Sequence, residues 1–468
     1  MENKVRLPIS AQHRPLFDYA GFIRYLDLDE FYTAVRDWIE SAHVVSKEEE
    51  IREAMEVRKR SKKLNKKLKL SSVVKFLTRS MKYHHNKRKF QSDGESVNSV
   101  STNNSATSSS SGNNPPPSPI LPHPRERLIT EFLCRLLIRR STTLKQLSID
   151  KDHLTRTEDF RCSSLPPLVD RFNNHRFIPD QYLSLPSYPG VINCLSHLSE
   201  FICTTRQSKA KLFDTLCEFS HRINTIVVTM NYHSNGWCGT RSRREVMELE
   251  DEAKSLANLI KVQHSLQNFE LHQCEVGSTV IIQSLQTQSK SLRSICFDYV
   301  SFWGWDPLTP LIECVELQKL VFRSCHGLTN ELLESLTITK FRNLSTILMD
   351  NSSAPAHILN KIIKNSGHSI QTLNLGQFKP HLTKYIIKTV AKYCPNLTTF
   401  SSYVDSDGIN HLIALFTLCT KLSTVTLTGP RSPEIDVDDL FLQLSRQDLP
   451  NLKEINILGA WSFTPKAS

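Results

Sequence analysis

Glycine is scarce in this chain, 14 of 468 residues, which excludes the glycine-rich loops that cradle phosphates. No G-x-S-x-G, no H-E-x-x-H and no outstanding pair of carboxylates takes their place. An enzyme is therefore not expected, and no cofactor is implied. The twelve cysteines contain no C-x-x-C pair and no Cys/His cluster at zinc-ligand spacing, so no metal site is expected either. No stretch approaches the ~18 consecutive apolar residues of a membrane helix. The start, MENKVRLPISAQHRPLFDY, lacks the apolar core of a secretory signal. These absences predict a cytoplasmic or nuclear chain whose cysteines stay reduced and serve as small buried apolar side chains.

Acidic residues are missing altogether from residues 58–89, which hold fourteen Lys or Arg. Arg58, Lys59, Arg60, Lys62, Lys63, Lys66, Lys67 and Lys69 form the first cluster, and Lys87, Arg88 and Lys89 the last. The chain carries 58 basic and 47 acidic residues; without the fourteen, 44 basic residues face the 47 acidic ones, a remainder of −3. The net charge of +11 thus belongs to one segment, and the folded body is expected to carry little charge signal. Three readings of the segment stay open. It is a solvated linker, a nuclear-import signal, or a contact for nucleic acid or acidic membrane, since Val73, Val74, Leu77 and Met81 form one stripe on a basic helix. Nucleic acid is expected through 58–89 alone. Neighbouring serines, if phosphorylated, would offset its charge.

What the chain has in abundance is one repeated tile. The pattern Φ-x-x-Φ-x-Φ starts at Leu266, Leu292, Leu317, Leu344, Ile370, Leu397, Leu422 and Leu452, at intervals of 26, 25, 27, 26, 27, 25 and 30 residues. Weaker copies precede it at Leu144, at LSHLSE with Phe201, and at Ile223. Helical stripes follow the hexamers: Ile358, Leu359, Ile362 and Ile363; Ile386, Ile387, Val390 and Ala391; Leu412, Ile413 and Phe416. A six-residue strand and one helix cannot bury their apolar faces alone, so the units must stack. Parallel strands then line a concave face and helices the convex one, an α/β horseshoe solenoid.

Cys314, Cys394 and Cys419 stand just ahead of a hexamer, and Cys274 and Cys325 just after one. With the 25–27-residue period this resembles the cysteine-containing leucine-rich repeat of many F-box/leucine-rich-repeat proteins. Residues 15–41 are similar to the segment that follows the F-box in a large fungal family of that kind. They are expected to form two short helices, the second with the stripe Phe31, Val35, Trp38 and Ile39 and with Asp29 as its cap. No F-box is expected: Leu7-Pro8 is followed by Ile9-Ser10, a polar run and Pro15. The resemblance implies substrate recognition or scaffolding related to SCF-type (cullin) ubiquitin ligases. Its partners would be target proteins on the concave face and, through an F-box, a Skp-type adaptor and cullin. The alternative is a repeat scaffold without a ligase role whose segment 58–89 makes the contacts.

The expected organisation is a helical cap over 1–47, an insertion over 48–124, irregular repeats over 125–265 and regular repeats over 266–468. The insertion opens with a capping box at Ser46 and Glu49 and ends in a Ser/Asn/Pro-rich stretch, 91–124, too polar to form a core. A helix resumes at RERLITEFLCRLLIRR with Leu128, Ile129, Phe132, Leu133, Leu136 and Leu137 on one face. A further long insertion, from Met230, is expected to run from a loop into a helix. The third, fifth and seventh positions of each tile face solvent. Candidate binding residues are His272, Asp298, Lys319, Arg323, Asp350 and Tyr403. Phe302, Trp303 and Trp305 either anchor a partner or cap the helix layer.

Overall fold

The computed structural model describes residues 24–39, 124–149, 187–230 and 243–462, with short interruptions. The basic segment 58–89, the expected capping box, almost all of 91–124 and the loop 231–242 lie outside the described residues. The chain divides into two units. Of the second, 34–121 with 174–177, only 34–39 is described; it is helical, with Val35 and Ile39 buried. Everything below concerns the first unit.

Every hexamer, regular or weak, forms a strand. The weak copies give β2 (Gln146–Ile149), β3 (Glu200–Cys203) and β4 (Thr225–Thr229). The regular ones give β5 (Asn268–His272), β6 (Ser294–Asp298), β7 (Lys319–Arg323), β8 (Thr346–Asp350), β9 (Thr372–Asn374), β10 (Thr399–Tyr403), β11 (Thr424–Thr428) and β13 (Glu454–Leu458). With β1 (Tyr25–Asp27) they make one twelve-stranded sheet in which each strand pairs in parallel with the next. Helices α2 (Pro124–Arg140), α3 (Val191–Leu195), α4 (Ala210–Phe219), α5 (Arg243–Lys261) and α6 (Ser278–Leu285) return the chain between the earlier strands. They are followed by α7 (Asn330–Leu333), α8 (Ala356–Ser366), α9 (Pro380–Tyr393), α10 (Ser406–Leu418) and α11 (Asp438–Leu444). This is the α/β leucine-rich-repeat horseshoe that the period predicts, and the weak repeats belong to the same sheet.

The Φ positions of the tiles are its interior. Leu266, Phe269, Leu271, Leu292, Ile295, Phe297, Leu317, Leu320 and Phe322 are buried and belong to one continuous cluster from Leu26 to Leu444. The predicted stripes of α8 and α9 close it from the convex side. Each fully buried Leu, Ile or Phe contributes about 1.5–3 kcal/mol relative to exposure, and no single repeat holds enough of them to stand alone.

Two ladders join the repeats. After β5 to β8 the chain turns through Gln273, Tyr299, Ser324 and Asn351, with φ of 51°, 53°, 50° and 49°. A left-handed non-glycine residue costs about 1–2 kcal/mol; here the turns of β5 to β7 are stabilised by their N–H groups donating to Asp298, Arg323 and Asp350 carbonyls at 2.8 Å. The next residue points inward. Cys325 Sγ donates to Phe297 O at 3.4 Å, and Ser352 Oγ accepts from Cys325 N at 3.0 Å and donates to Phe322 O at 3.1 Å. The described cysteines are free thiols, all buried except the half-buried Cys217, as expected for repeat construction. At the helix-to-strand turns, buried Gln263 accepts from Ile223 N (2.9 Å) and donates to Ser220 O (2.7 Å). Gln288 does the same one repeat on, with Leu266 N (3.2 Å) and Ile260 O (2.9 Å). A buried ion pair, Lys209 Nζ to Glu252 Oε1 at 2.8 Å, joins the start of α4 to α5.

Two local expectations need correction. Residues 25–27 are a strand, not helix, because Tyr25, Leu26 and Asp27 pair with Gln146, Leu147 and Ser148 and extend the sheet by one strand. The helix after it (α1, 28–39) is capped by Asp27 Oδ1, which accepts from Glu30 N at 3.1 Å; Asp29 lies outside the described residues. Helix α2 buries Thr130, Cys134 and Ile138; of the predicted stripe, Ile129, Leu133, Leu136 and Leu137 are half-buried and Leu128 and Phe132 exposed, so the buried face is turned away from the one expected. Its apolar residues run nearly all round, and the face with small Thr130 and Cys134 allows the closest approach. Near the end, an unanticipated pair of short strands, β12 (Ile435–Asp436) and β14 (Trp461–Ser462), makes a separate sheet.

All strands run one way, so every helix-to-strand turn lies on one edge of the array. That edge carries Arg139, Arg140, Lys145, Arg222, Lys261, Lys290, Arg293, Lys340, Arg342, Lys364, Lys392, Lys421 and Lys453, all exposed. The opposite edge is the richer in acids, among them Glu275, Asp306, Glu331 and Asp407. Cations beside helix C-termini and anions beside N-termini follow the helix dipoles. A body expected to carry little charge signal is therefore polarised between its edges.

Candidate functional site

Register brings the candidate residues into rows across the concave sheet. The fifth tile positions line up as Val227, Glu270, Cys296, Val321, Leu348 and Asn374. The seventh positions line up as Thr229, His272, Asp298, Arg323 and Asp350. Four of the six predicted residues are thus consecutive in one row, and Lys319 begins the strand that carries Arg323. Tyr403 is not among them; its strand lies two further along, where it pairs with Thr428.

The expectation that all these positions face solvent does not hold. Val321 and Asp298 are 1% exposed, Cys296 4% and His272 6%. Neighbouring strands only ~4.8 Å apart press outward side chains against one another at the centre of the row. Lys319 is exposed, and Arg323, Asp350 and Tyr403 are half-buried. Asp350 is seated beside Gly376 (φ 45°), where an added Cβ would come within 2.0 Å of its Oδ1. No larger side chain fits there without moving it.

His272 is clamped between two carboxylates. Its Nδ1 lies 3.2 Å from Asp298 Oδ2 and its Nε2 3.5 Å from Glu270 Oε2, while Arg323 Nη1 stands 3.7 Å from the same Asp298 oxygen. Burial disfavours the imidazolium, but the hydrogen bond to Asp298, the contact with Glu270 and the charges of both outweigh it, so the His272 pKa is raised. The close contact with His272 holds Glu270 below its ordinary value against the effect of burial, helped by the charges of His272, Lys319 and Arg323. Arg323 is likewise raised, burial being outweighed mainly by Asp298. Among the described residues, buried Asp298 Oδ1 and His272 Nε2 have no hydrogen-bond partner, so His272 meets Glu270 through charge rather than a well-formed hydrogen bond.

A cysteine, a histidine and an aspartate in adjacent strands suggest nucleophilic catalysis, but the electrostatics oppose it. Burial and then the charges of Glu270 and Asp298 push the Cys296 thiol up, away from the thiolate that a nucleophile requires. The cluster is a fixed group of paired charges with Lys319 and part of Arg323 presented outward, flanked by apolar Val227, Val321 and Leu348. At the rim, Trp303 is 68% and Tyr299 46% exposed. Phe302 and Trp305 instead pack on Phe297, with ring centroids 5.3 and 6.5 Å away. The aromatic loop therefore both caps the core and presents one tryptophan. Glu270 and Cys296 complete the cluster without having been singled out; their signal was the tile position they share with Val321.

Among the described residues no group of His, Cys, Asp and Glu is arranged to hold a metal, and no helix is long and apolar enough to cross a membrane. No protein-family model and no curated protein matches the chain. Among solved structures, the chain is similar to one from the complex of Rad7 and Elc1 in yeast, at 13% identity and a TM-score of 0.34, covering 74% of this chain and 92% of that one. Likeness at that level identifies neither a family nor an activity.

Proposed function

We propose that this is a non-catalytic protein-binding chain that holds a target on the concave face of its leucine-rich repeats, centred on β5 to β8. The observation that carries the reading is the row His272, Asp298, Arg323 and Asp350, whose charges are pre-set by register while Lys319 remains free to meet a partner. Pre-organised charges between apolar neighbours give specificity and fix the register of a partner. The tile and its cysteines, together with the similarity of 15–41 to a post-F-box segment, extend the proposal to substrate recognition or scaffolding related to cullin-type ubiquitin ligases, in the cytoplasm or nucleus.

Affinity purification of the full chain tests both levels. Co-purification of a Skp-type adaptor and cullin supports the ligase relation, and their absence removes it. A K319E/R323E variant that keeps its circular dichroism spectrum is expected to lose the proteins that the wild type retains. An unchanged set of partners would refute the concave site.

A further inference from the structure

We propose that the helix-to-strand edge from β2 to β6 binds single-stranded nucleic acid through its phosphates. Lys145, Arg222, Lys261, Lys290 and Arg293 are all exposed on this edge. None of them is in an ion pair among the described residues. At ~4.8 Å per strand the five span roughly 20 Å.

Helix dipoles do not use up this charge. Each helix end counts for about half an elementary charge, so the five helices ending here offset roughly two to three, with Glu218 the one exposed acid in their last turns. Lys145, Arg222, Lys290 and Arg293 lie beyond the helices, in the turns leading into the strands. The cationic stretch ends at the next repeat, where Glu313 and Glu316 accept hydrogen bonds from neutral Gln286 (2.7 Å) and Asn343 (3.0 Å) rather than pairing with a cation.

Two imidazoles are interleaved with the cations. His221 and His264 have ring centroids 6.0 Å apart, and His264 N donates to His221 O at 3.2 Å. Planar rings beside guanidinium and ammonium groups are what unstacked bases rest on. One large apolar side chain is exposed on this stretch, Ile192 in the last turn of α3, and the next on the edge is Val315. An acidic polypeptide would find charge here but only a single apolar anchor. A flexible single strand follows a curved edge, whereas a duplex, with a persistence length of about 50 nm, does not bend to it freely.

The test uses the full chain with the fourteen cations of 58–89 changed to glutamine, which removes that segment's own attraction for polyanions. Fluorescence anisotropy with a labelled uridine oligomer is followed against salt. Five phosphate contacts predict a slope of log K on log salt of about −3.5. R222E/K261E/R293E is expected to weaken binding at least tenfold and flatten that slope. K254E/K361E/K388E, reversing exposed lysines on helices α5, α8 and α9 away from the edge, is expected to leave both unchanged. The proposal is overturned if the edge variant binds as the parent does, if no salt-dependent binding is seen, or if a glutamate-rich peptide or a duplex binds as tightly as the oligomer.

Discussion

Lys209 and Glu252 are 0% and 1% exposed, and their ion pair offers a test of how the early repeats are held together. At 2.8 Å and an effective dielectric of about 20, the attraction is about 6 kcal/mol. Removing two ions from water costs several kcal/mol each, so the net value of the pair is small, while breaking it by deleting one partner costs about 3–5 kcal/mol. K209M is expected to fall in that range because the Glu252 carboxylate stays buried. The double variant K209M/E252L removes both charges, and the exchange of a buried pair for apolar side chains is neutral or stabilising. Here one debt remains: Glu252 Oε2 also accepts from Lys209 N at 3.2 Å, and an orphaned N–H costs about 1–3 kcal/mol. The double variant should therefore lie well above the single one. Urea unfolding of the full chain, followed by circular dichroism and extrapolated linearly, measures both, and the double-mutant cycle isolates the coupling. A K209M loss below about 1 kcal/mol, or additive losses without coupling, would refute the reasoning.

Three further outcomes are expected. The His272 pKa is raised above 6.5 and that of Glu270 lowered below 4.5. The stabilisation from His272 is then complete below pH 6.5 and lost as pH rises through its folded value, and that from Glu270 is present above pH 4.5 and lost as pH falls through its own. Thermal unfolding should accordingly show the largest deficit of H272Q between these pH values and a shrinking one above them; a deficit that grows with pH would contradict the clamp. Q288L orphans Leu266 N and the carbonyls of Ile260 and Gln263 and should cost about 2 kcal/mol or more, with faster hydrogen exchange at Leu266. F322A removes a ring packed 5.5 Å from Phe297 and 5.8 Å from Phe302 and should cost about 3–5 kcal/mol, measured by the same urea titration.

The architecture was legible because it is written many times. A hexamer such as LQKLVF needs only its own alternation to become a strand, and its recurrence near 26 residues decides that strands stack in parallel with helices between. Burial of Leu317, Leu320 and Phe322, and of the cysteines beside the tiles, follows from that stacking. Helix α2 was misread because apolar residues on nearly all sides leave its period without a preferred face. The candidate site was legible by position and misjudged in exposure: the seventh positions were found, but whether His272 lies open or clamped depends on Asp298, 26 residues away.

The sequence by itself determined the repeat, the fold class and the residues that form the core, since these rest on local periodicity. Only the tertiary structure decided the rest. Lys209 meets Glu252 across 43 residues, and Gln288 meets Leu266 across 22, contacts that no local pattern announces. The body's sum of −3 hid two edges of opposite character, because a sum discards position within the repeat. Parallel stacking restores that position by carrying the helix-to-strand turns, most of them with a Lys or Arg, to the same side.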